Sequence, residues 1–256
     1  MSSLLAAAAS LLVFCAPGYP GASGDAQPLV DEFAITLGAA ARLPAGSLTA
    51  VYDASEKSDL ARLAAPDASL AFVPYPFFVQ HGAALHMVAL VQADVPPAGV
   101  QQRWTLVLHT GHAPPPAGLA GLNIISTAGY AQDFVREVLR KSGPLPATTT
   151  ITFTGQVLSA LRRAAGGDPV AVLLDQEQAG AMASLPFAAN LQAVATSAAV
   201  PVALIVTVEG RVPKARARDL QQALLHLSGT PQGAAILSRL RLNGFVLPRL
   251  PAAPGS

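Results

Sequence analysis

The residues closest to a binding chemistry lie in Asn123-Ile124-Ile125-Ser126-Thr127-Ala128-Gly129-Tyr130, a short apolar run that meets two hydroxyls and a glycine before a helical pattern. A helix start leaves backbone N–H groups unpaired and carries partial positive charge. Hydroxyls from Ser126 and Thr127, with Gly129 permitting close approach ahead of Tyr130, would turn such a start into a cradle for an anion. The plainer alternative is that Ser126 and Thr127 only cap the helix. A second stretch, Ala71-Phe72-Val73-Pro74-Tyr75-Pro76-Phe77-Phe78-Val79, runs a buried strand into a proline-bracketed tyrosine. Ligands of open α/β folds bind beyond the carboxyl ends of parallel strands. Tyr75 offers a hydroxyl there, and Phe77 or Phe78 either walls a pocket or packs the core. In Leu173-Leu174-Asp175-Gln176, Asp175 follows a buried strand at a helix start, as an N-cap or as an acceptor for a ligand's amine or hydroxyl.

The remaining candidates are weaker. His109-x-x-His112 precedes Ala113-Pro114-Pro115-Pro116 with no Cys or acid nearby, so no metal site is expected. No nucleophile elbow, P-loop or dinucleotide glycine fingerprint occurs. Acid/base and nucleophile groups do not converge, so neither catalysis nor a cofactor is expected. Arg211, Lys214, Arg216 and Arg218 read as a solvated helix start or a docking surface. Arg103 and Trp104 read as a cleft pair or a packed indole.

The elements that must position these residues are bounded by composition. The chain has 256 residues, 52% hydrophobic and 12% charged, with a net charge of +1, which gives none of the basic footprint of a nucleic-acid binder. The apolar run Leu4–Ala16, broken only by Ser10, is shorter than the roughly 20 residues of a spanning helix. With Pro17, Gly18, Pro20 and Gly21 behind it and small residues at Gly24 and Ala26, residues 1–26 read as a cleaved export signal, although no Lys or Arg precedes Arg42. A lipid anchor on Cys15, the lone cysteine, is disfavoured by the bulk of Phe14 before it.

Beyond that segment, apolar strand patterns alternate with amphipathic helices. Strands are expected at Phe33–Leu37, Leu48–Tyr52, Ser69–Val73, Met87–Gln92, Trp104–His109, Asn123–Ser126, Thr149–Phe153, Val170–Leu174, Leu191–Ala195 and Val202–Val208. Helices are expected at 55–65, 132–141, 155–165, 176–184, 214–227 and 231–242. Continuous apolar runs such as Val170–Leu174 suit strands covered on both faces, hence mostly parallel sheets flanked by helices. Trp104–His109 and Val202–Val208 bracket a middle segment that is itself βα-alternating. The expectation is therefore a two-lobed α/β chain, with 28–104 and 205–248 in lobe 1, 105–204 in lobe 2 and a flexible tail over 249–256. Two crossing strands would hinge the lobes about a cleft.

The order of Val73-Pro74-Tyr75-Pro76-Phe77-Phe78, a crossover, Ser126-Thr127-Ala128-Gly129-Tyr130 with a helix, Val172-Leu173-Leu174-Asp175 and Ala199-Val200-Pro201-Val202-Ala203-Leu204 resembles the phosphate/phosphite/phosphonate-binding proteins of ABC importers. The resemblance spans roughly residues 30–248 and implies the type 2 periplasmic binding fold. It further implies an aromatic hydroxyl from Tyr75, an oxyanion cradle at Ser126 and Thr127, and an orienting acid at Asp175. The implied protein is a periplasmic monomer that carries a small anionic ligand to an ABC permease of the inner membrane. A ligand-sensing or accessory module on the same fold is the alternative.

Overall fold

The computed structural model describes residues 10–17 and 23–251, and these form two compact units. Of the described residues, the first comprises those up to 100 and from 201 on, the second 101–200. In chain order the first unit opens with β1 (Ser10–Cys15), α1 (Ser23–Ala40), β2 (Leu48–Asp53), α2 (Glu56–Ala64), β3 (Ala68–Pro74), α3 (Tyr75–His81) and β4 (Met87–Asp94). After β5 (Gln101–Gln102) come the second unit's β6 (Thr105–His109), β7 (Asn123–Ser126), α4 (Gln132–Leu139), β8 (Thr150–Phe153), α5 (Val157–Ala165), β9 (Val170–Leu174), α6 (Gln176–Met182) and β10 (Leu191–Thr196). The chain then passes through β11 (Val200–Pro201) into β12 (Ala203–Val208), α7 (Lys214–His226), α8 (Pro231–Arg239) and β13 (Gly244–Val246).

The first unit's sheet runs β13-β4-β12-β3-β1-β2. β1 is parallel to both β2 and β3, with Leu12 and Val13 fully buried. This corrects the reading of the N-terminal apolar run as an export signal: over Ser10–Cys15 the run is an inner strand, while residues 1–9 and 18–22 lie outside the described residues. A short apolar run has no periodicity that separates a signal core from a doubly covered strand. Phe33–Leu37 is likewise not a strand but part of α1. Val30, Phe33, Ala34 and Leu37 are buried at helical spacing, while Ile35 is 71% exposed. Five residues fit a short strand as well as a helix; the longer window has a period of 3.6. The tail expected from 249 is tied at its start by the Arg249 amide donating to Gln92 Oε1 (3.1 Å), and residues 252–256 lie outside the described residues.

Phe14, Phe33, Phe72 and Phe245 form a chain of ring contacts at 5.3–6.5 Å through the first unit's core. Arg211 is half-buried rather than fully solvated. Its Nη1 donates to the carbonyls of Leu63, Ala65 and Ala68 (2.9, 2.6 and 2.8 Å), closing the end of α2 where backbone acceptors lack helical partners.

The second unit's sheet runs β10-β6-β9-β7-β8, with β7, β8 and β9 parallel and β6 and β10 each antiparallel to a neighbour. α5 covers one face through Ala160, Leu161 and Ala164 against Val107, Ile125 and Val172. The long strands β6 and β12 each belong wholly to one unit. The residues at the two passages between units, β5 and β11, pair as a separate two-stranded ladder.

One ionisable side chain in the first unit stands apart. Asp59 of α2 is fully buried, and neither carboxyl oxygen has a hydrogen-bond partner. Desolvation pushes its pKa up to about 8, with Cys15 pulling it back and Asp53 and Glu56 adding to the rise. Between pH 4 and 8 the folded chain therefore keeps a proton that the unfolded chain releases, so stability falls as pH rises through that window. Asp59→Asn, which cannot ionise, is expected to raise the melting temperature at pH 8 and to flatten its decline from pH 5 to 8. An unchanged slope in thermal melts would show that Asp59 titrates normally. A chain begun at Gln27 lacks β1 and should lose cooperative unfolding, since each fully buried aliphatic or aromatic side chain is worth roughly 1.5–3 kcal/mol. A sharp circular-dichroism transition from that truncated chain would show β1 to be dispensable.

Candidate functional site

The carboxyl ends of β7, β8 and β9 share one edge of the second unit's sheet. Ser126 is aligned with Phe153 of β8, and its hydroxyl donates to the carbonyl of Leu173 in β9 (2.8 Å). The same oxygen accepts the Ala128 amide (3.1 Å), and the Ser126 carbonyl accepts the amides of Gly129 (3.1 Å) and Thr154 (2.9 Å). Ser126 is fully buried, so its single hydroxyl proton is committed within the unit. The side chain anchors the turn, and a ligand could recruit it only by breaking the bond to Leu173.

Residues 127–130 are a turn, and α4 begins later, at Gln132, with Ala131 as an N-cap that supplies no side-chain bond. Ser126 and Thr127 therefore do not open the helix, contrary to the sequence expectation. Five residues, 127–131, separate strand from helix. Gly129 is required for packing. A Cβ there would sit 2.2 Å from the Thr152 carbonyl oxygen and 2.5 Å from the Phe153 nitrogen, so the turn rests directly on β8. Thr127 is half-buried and carries no hydrogen bond among the described residues, which leaves its hydroxyl and amide as the turn's disposable polar groups. Tyr130 is half-buried with its ring edge-on to Phe153, centroids 6.3 Å apart.

Asp175 ends β9 at the same edge. Its Oδ1 accepts the Gln178 amide (2.8 Å) while its own amide donates to Gln178 Oε1 (3.3 Å), a reciprocal cap of α6. Burial raises its pKa, and the Gln178 amide works against that rise. One carboxylate oxygen is thus spent on the helix. β6 runs antiparallel to β9, Thr105 opposite Leu174, which brings Trp104 to this edge as well. The Trp104 amide donates to Ser197 Oγ (2.9 Å), its ring packs edge-on to Phe134 (5.1 Å), and its indole N–H is buried without an acceptor. Arg103 donates to the Ser197 carbonyl (2.8 Å), so the pair is held by one loop.

Tyr75 belongs to the first unit. It is the first residue of α3 rather than a loop residue, buried, with its amide donating to the Val202 carbonyl (3.0 Å) and its ring stacked on Phe78 (6.2 Å). Pro76 suits a helix start, where a missing N–H costs nothing. Phe77 is fully buried core. The structure thus gathers Ser126, Thr127, Gly129, Tyr130 and Asp175 at one edge, with Tyr75 in the other unit. The sequence reading missed Phe153. Its signal was an aromatic residue ending an edge strand whose exposed Thr150 and Thr152, on the opposite face, are polar.

No family model matches the sequence, and no curated protein matches it either. Solved structures do. A Xanthomonas citri protein bound to a chloride ion is similar at a TM-score of 0.69 and 15% identity, covering 96% of this chain and 93% of the other. The same protein bound to ATP gives 0.66, 16%, 96% and 92%. A Prochlorococcus marinus protein in complex with methylphosphonate gives 0.62 and 14%, covering 94% and 93%. The fold is that of the type 2 periplasmic binding proteins. Other chains of this periplasmic binding fold that it resembles include the binding component of an ABC phosphonate transporter from Pseudomonas aeruginosa (TM-score 0.57, 10% identity, 93% and 81% covered). A histidine kinase sensor domain is similar at 0.50 and 16%, covering 94% and 99%.

Gly129→Ala is expected to be among the most damaging single substitutions in the second unit, because the new methyl meets backbone rather than a movable side chain. Ser126→Ala would leave a buried carbonyl unpaired, at a cost of about 1–3 kcal/mol. Thermal unfolding of both variants checks this; wild-type stability in either would mean the turn does not depend on those contacts.

Proposed function

We propose that this chain is a periplasmic solute-binding protein of an ABC-type importer, a binder rather than a catalyst, which holds a small anionic ligand and delivers it as a monomer to a permease of the inner membrane. What supports the reading most is that the likeness to a methylphosphonate-bound protein and to the binding component of a phosphonate transporter covers 93–94% of this chain and 81–93% of theirs. Among the described residues no helix is long and apolar enough to cross a membrane. In this reading Thr127 supplies the hydroxyl and amide that meet the anion, Ser126 and Gly129 hold Thr127 in place, and Tyr130 flanks it. Asp175 offers its second carboxylate oxygen to a donor on the ligand. Phosphate, phosphite and phosphonates are the oxyanions to try first.

A second reading, a ligand-sensing module on the same fold, is favoured by the commitment of Ser126 to Leu173. That bond leaves the turn poorer in free hydroxyls than a dedicated oxyanion carrier would want. The likeness to a sensor domain agrees with it.

Titration calorimetry of the folded chain with phosphate, phosphite, methylphosphonate and sulfate tests the first reading, which expects saturable one-to-one heat from at least one of them. Thr127→Val keeps the side-chain shape and removes the hydroxyl. It should weaken that ligand by about tenfold or more, the value of one hydrogen bond to a charged group. Silence from all four ligands would remove the anion from the proposal. An unchanged affinity in the valine variant would remove the Thr127 hydroxyl.

A further inference from the structure

We propose that the carboxyl edge of the second unit's sheet takes an organic anion, and that Phe153 selects for a planar apolar group next to the negative charge. The inference rests on the solute-binding reading and narrows its ligand class.

Phe153 is 44% exposed at the end of β8. A single exposed phenylalanine is ordinary on a protein surface. This one is aligned with Ser126, stands edge-on to Tyr130, and has the Gly129 turn seated on its own backbone nitrogen. The ring is therefore held in place at the border of the candidate site. Its strand is an edge of the sheet, where polar side chains normally guard against pairing with other chains. Thr150 and Thr152 follow that rule, both donating to Asn123 Oδ1 (3.1 and 2.7 Å). Phe153 departs from it only where the strand reaches the turn.

The polar side of the same edge is sparse but aimed. The Thr127 hydroxyl and amide are unbonded, Ser126 is committed, and Ala128 is buried and apolar. The independent observation is Trp104: at 4% exposure its indole N–H is a donor with no acceptor. It precedes β6, two strands from β7 across β9, so at about 4.8 Å per strand its backbone lies roughly 10 Å from β7. A buried donor left unmatched is costly and calls for an explanation, and an anion lying along this edge would supply the acceptor. A bare inorganic oxyanion needs donors all round. An edge with few donors beside an aromatic pair suits a ligand whose affinity is shared between a small charged head and an apolar ring, the usual division in small-molecule sites.

Calorimetry on the full chain with inorganic phosphate, methylphosphonate and phenylphosphonate tests the idea. Phenylphosphonate is expected to bind at least about tenfold tighter than methylphosphonate, a gain within reach of one ring-on-ring contact plus the area it buries. Phe153→Ser should erase that ratio and leave methylphosphonate affinity in place. Phe153→Leu, which keeps the apolar volume and so guards against a folding artefact, should reduce it. Trp104→Phe, which keeps a ring and deletes the N–H, should weaken both phosphonates with no loss of melting temperature. Equal affinity for the two phosphonates, or a ratio that survives Phe153→Ser, overturns this inference and leaves the solute-binding reading standing. An unchanged affinity in Trp104→Phe removes the indole from the site. Heat from none of the three ligands overturns the anion reading and this one with it.

Discussion

The candidate site depends on where the Ser126 hydroxyl proton goes. By donating to the Leu173 carbonyl and accepting the Ala128 amide, one side chain ties the end of β7 to β9 and bends the chain back over β8. The Thr154 amide on the Ser126 carbonyl and the glycine seated on Thr152 complete the clamp. A turn held by three strands can present Thr127 at a fixed position, and fixed donors lose little entropy on binding. The cost is chemical. The residue best suited by type to hold an anion is the one the fold has used for support.

A comparable exchange occurs at Asp175. Its carboxylate and amide close a reciprocal cap on α6, so the helix, rather than a ligand, accounts for its placement. For both residues the functional and the structural interpretation predicted the same residue type at the same place. Local sequence cannot separate them, because a hydroxyl or carboxylate that caps a backbone and one that meets a ligand are equally favoured just past a buried strand.

Legibility followed the length over which a pattern persisted. β7, β9 and the strand from Met87 were readable because continuous apolar runs bounded by turns suit strands covered on both faces, and α4 because Phe134, Val135, Val138 and Leu139 recur at helical spacing. Phe33–Leu37 failed because five residues fit both periods; only Val30 and Ala41 on either side decide for a helix. The Ser10–Cys15 run failed for a different reason. An apolar stretch near a chain start, with proline and glycine behind it, satisfies the physical description of an export signal and of an inner parallel strand alike. What distinguishes them is the pairing of Leu12 and Phe14 with β2 and β3, a non-local fact. The α3 helix was hidden by its two prolines, which read as loop formers although a helix tolerates one in its first turn.

Trp104 and Phe153 were illegible as a pair because neither carries a motif. They stand 49 positions apart in sequence and meet the same sheet edge only through the order β6-β9-β7-β8. That order also bears on how the fold tolerates identities of 10–16% to the solved structures it resembles. The clamp at Ser126 uses one hydroxyl, one glycine and backbone groups, so it constrains few residue types. A scaffold that spends its specific side chains on holding a turn, and leaves the neighbouring positions to vary, can change ligand class by substitutions at the edge alone. The features that would report such a change are an unguarded aromatic side chain and a buried donor without an acceptor, and this chain has both at one edge of one sheet.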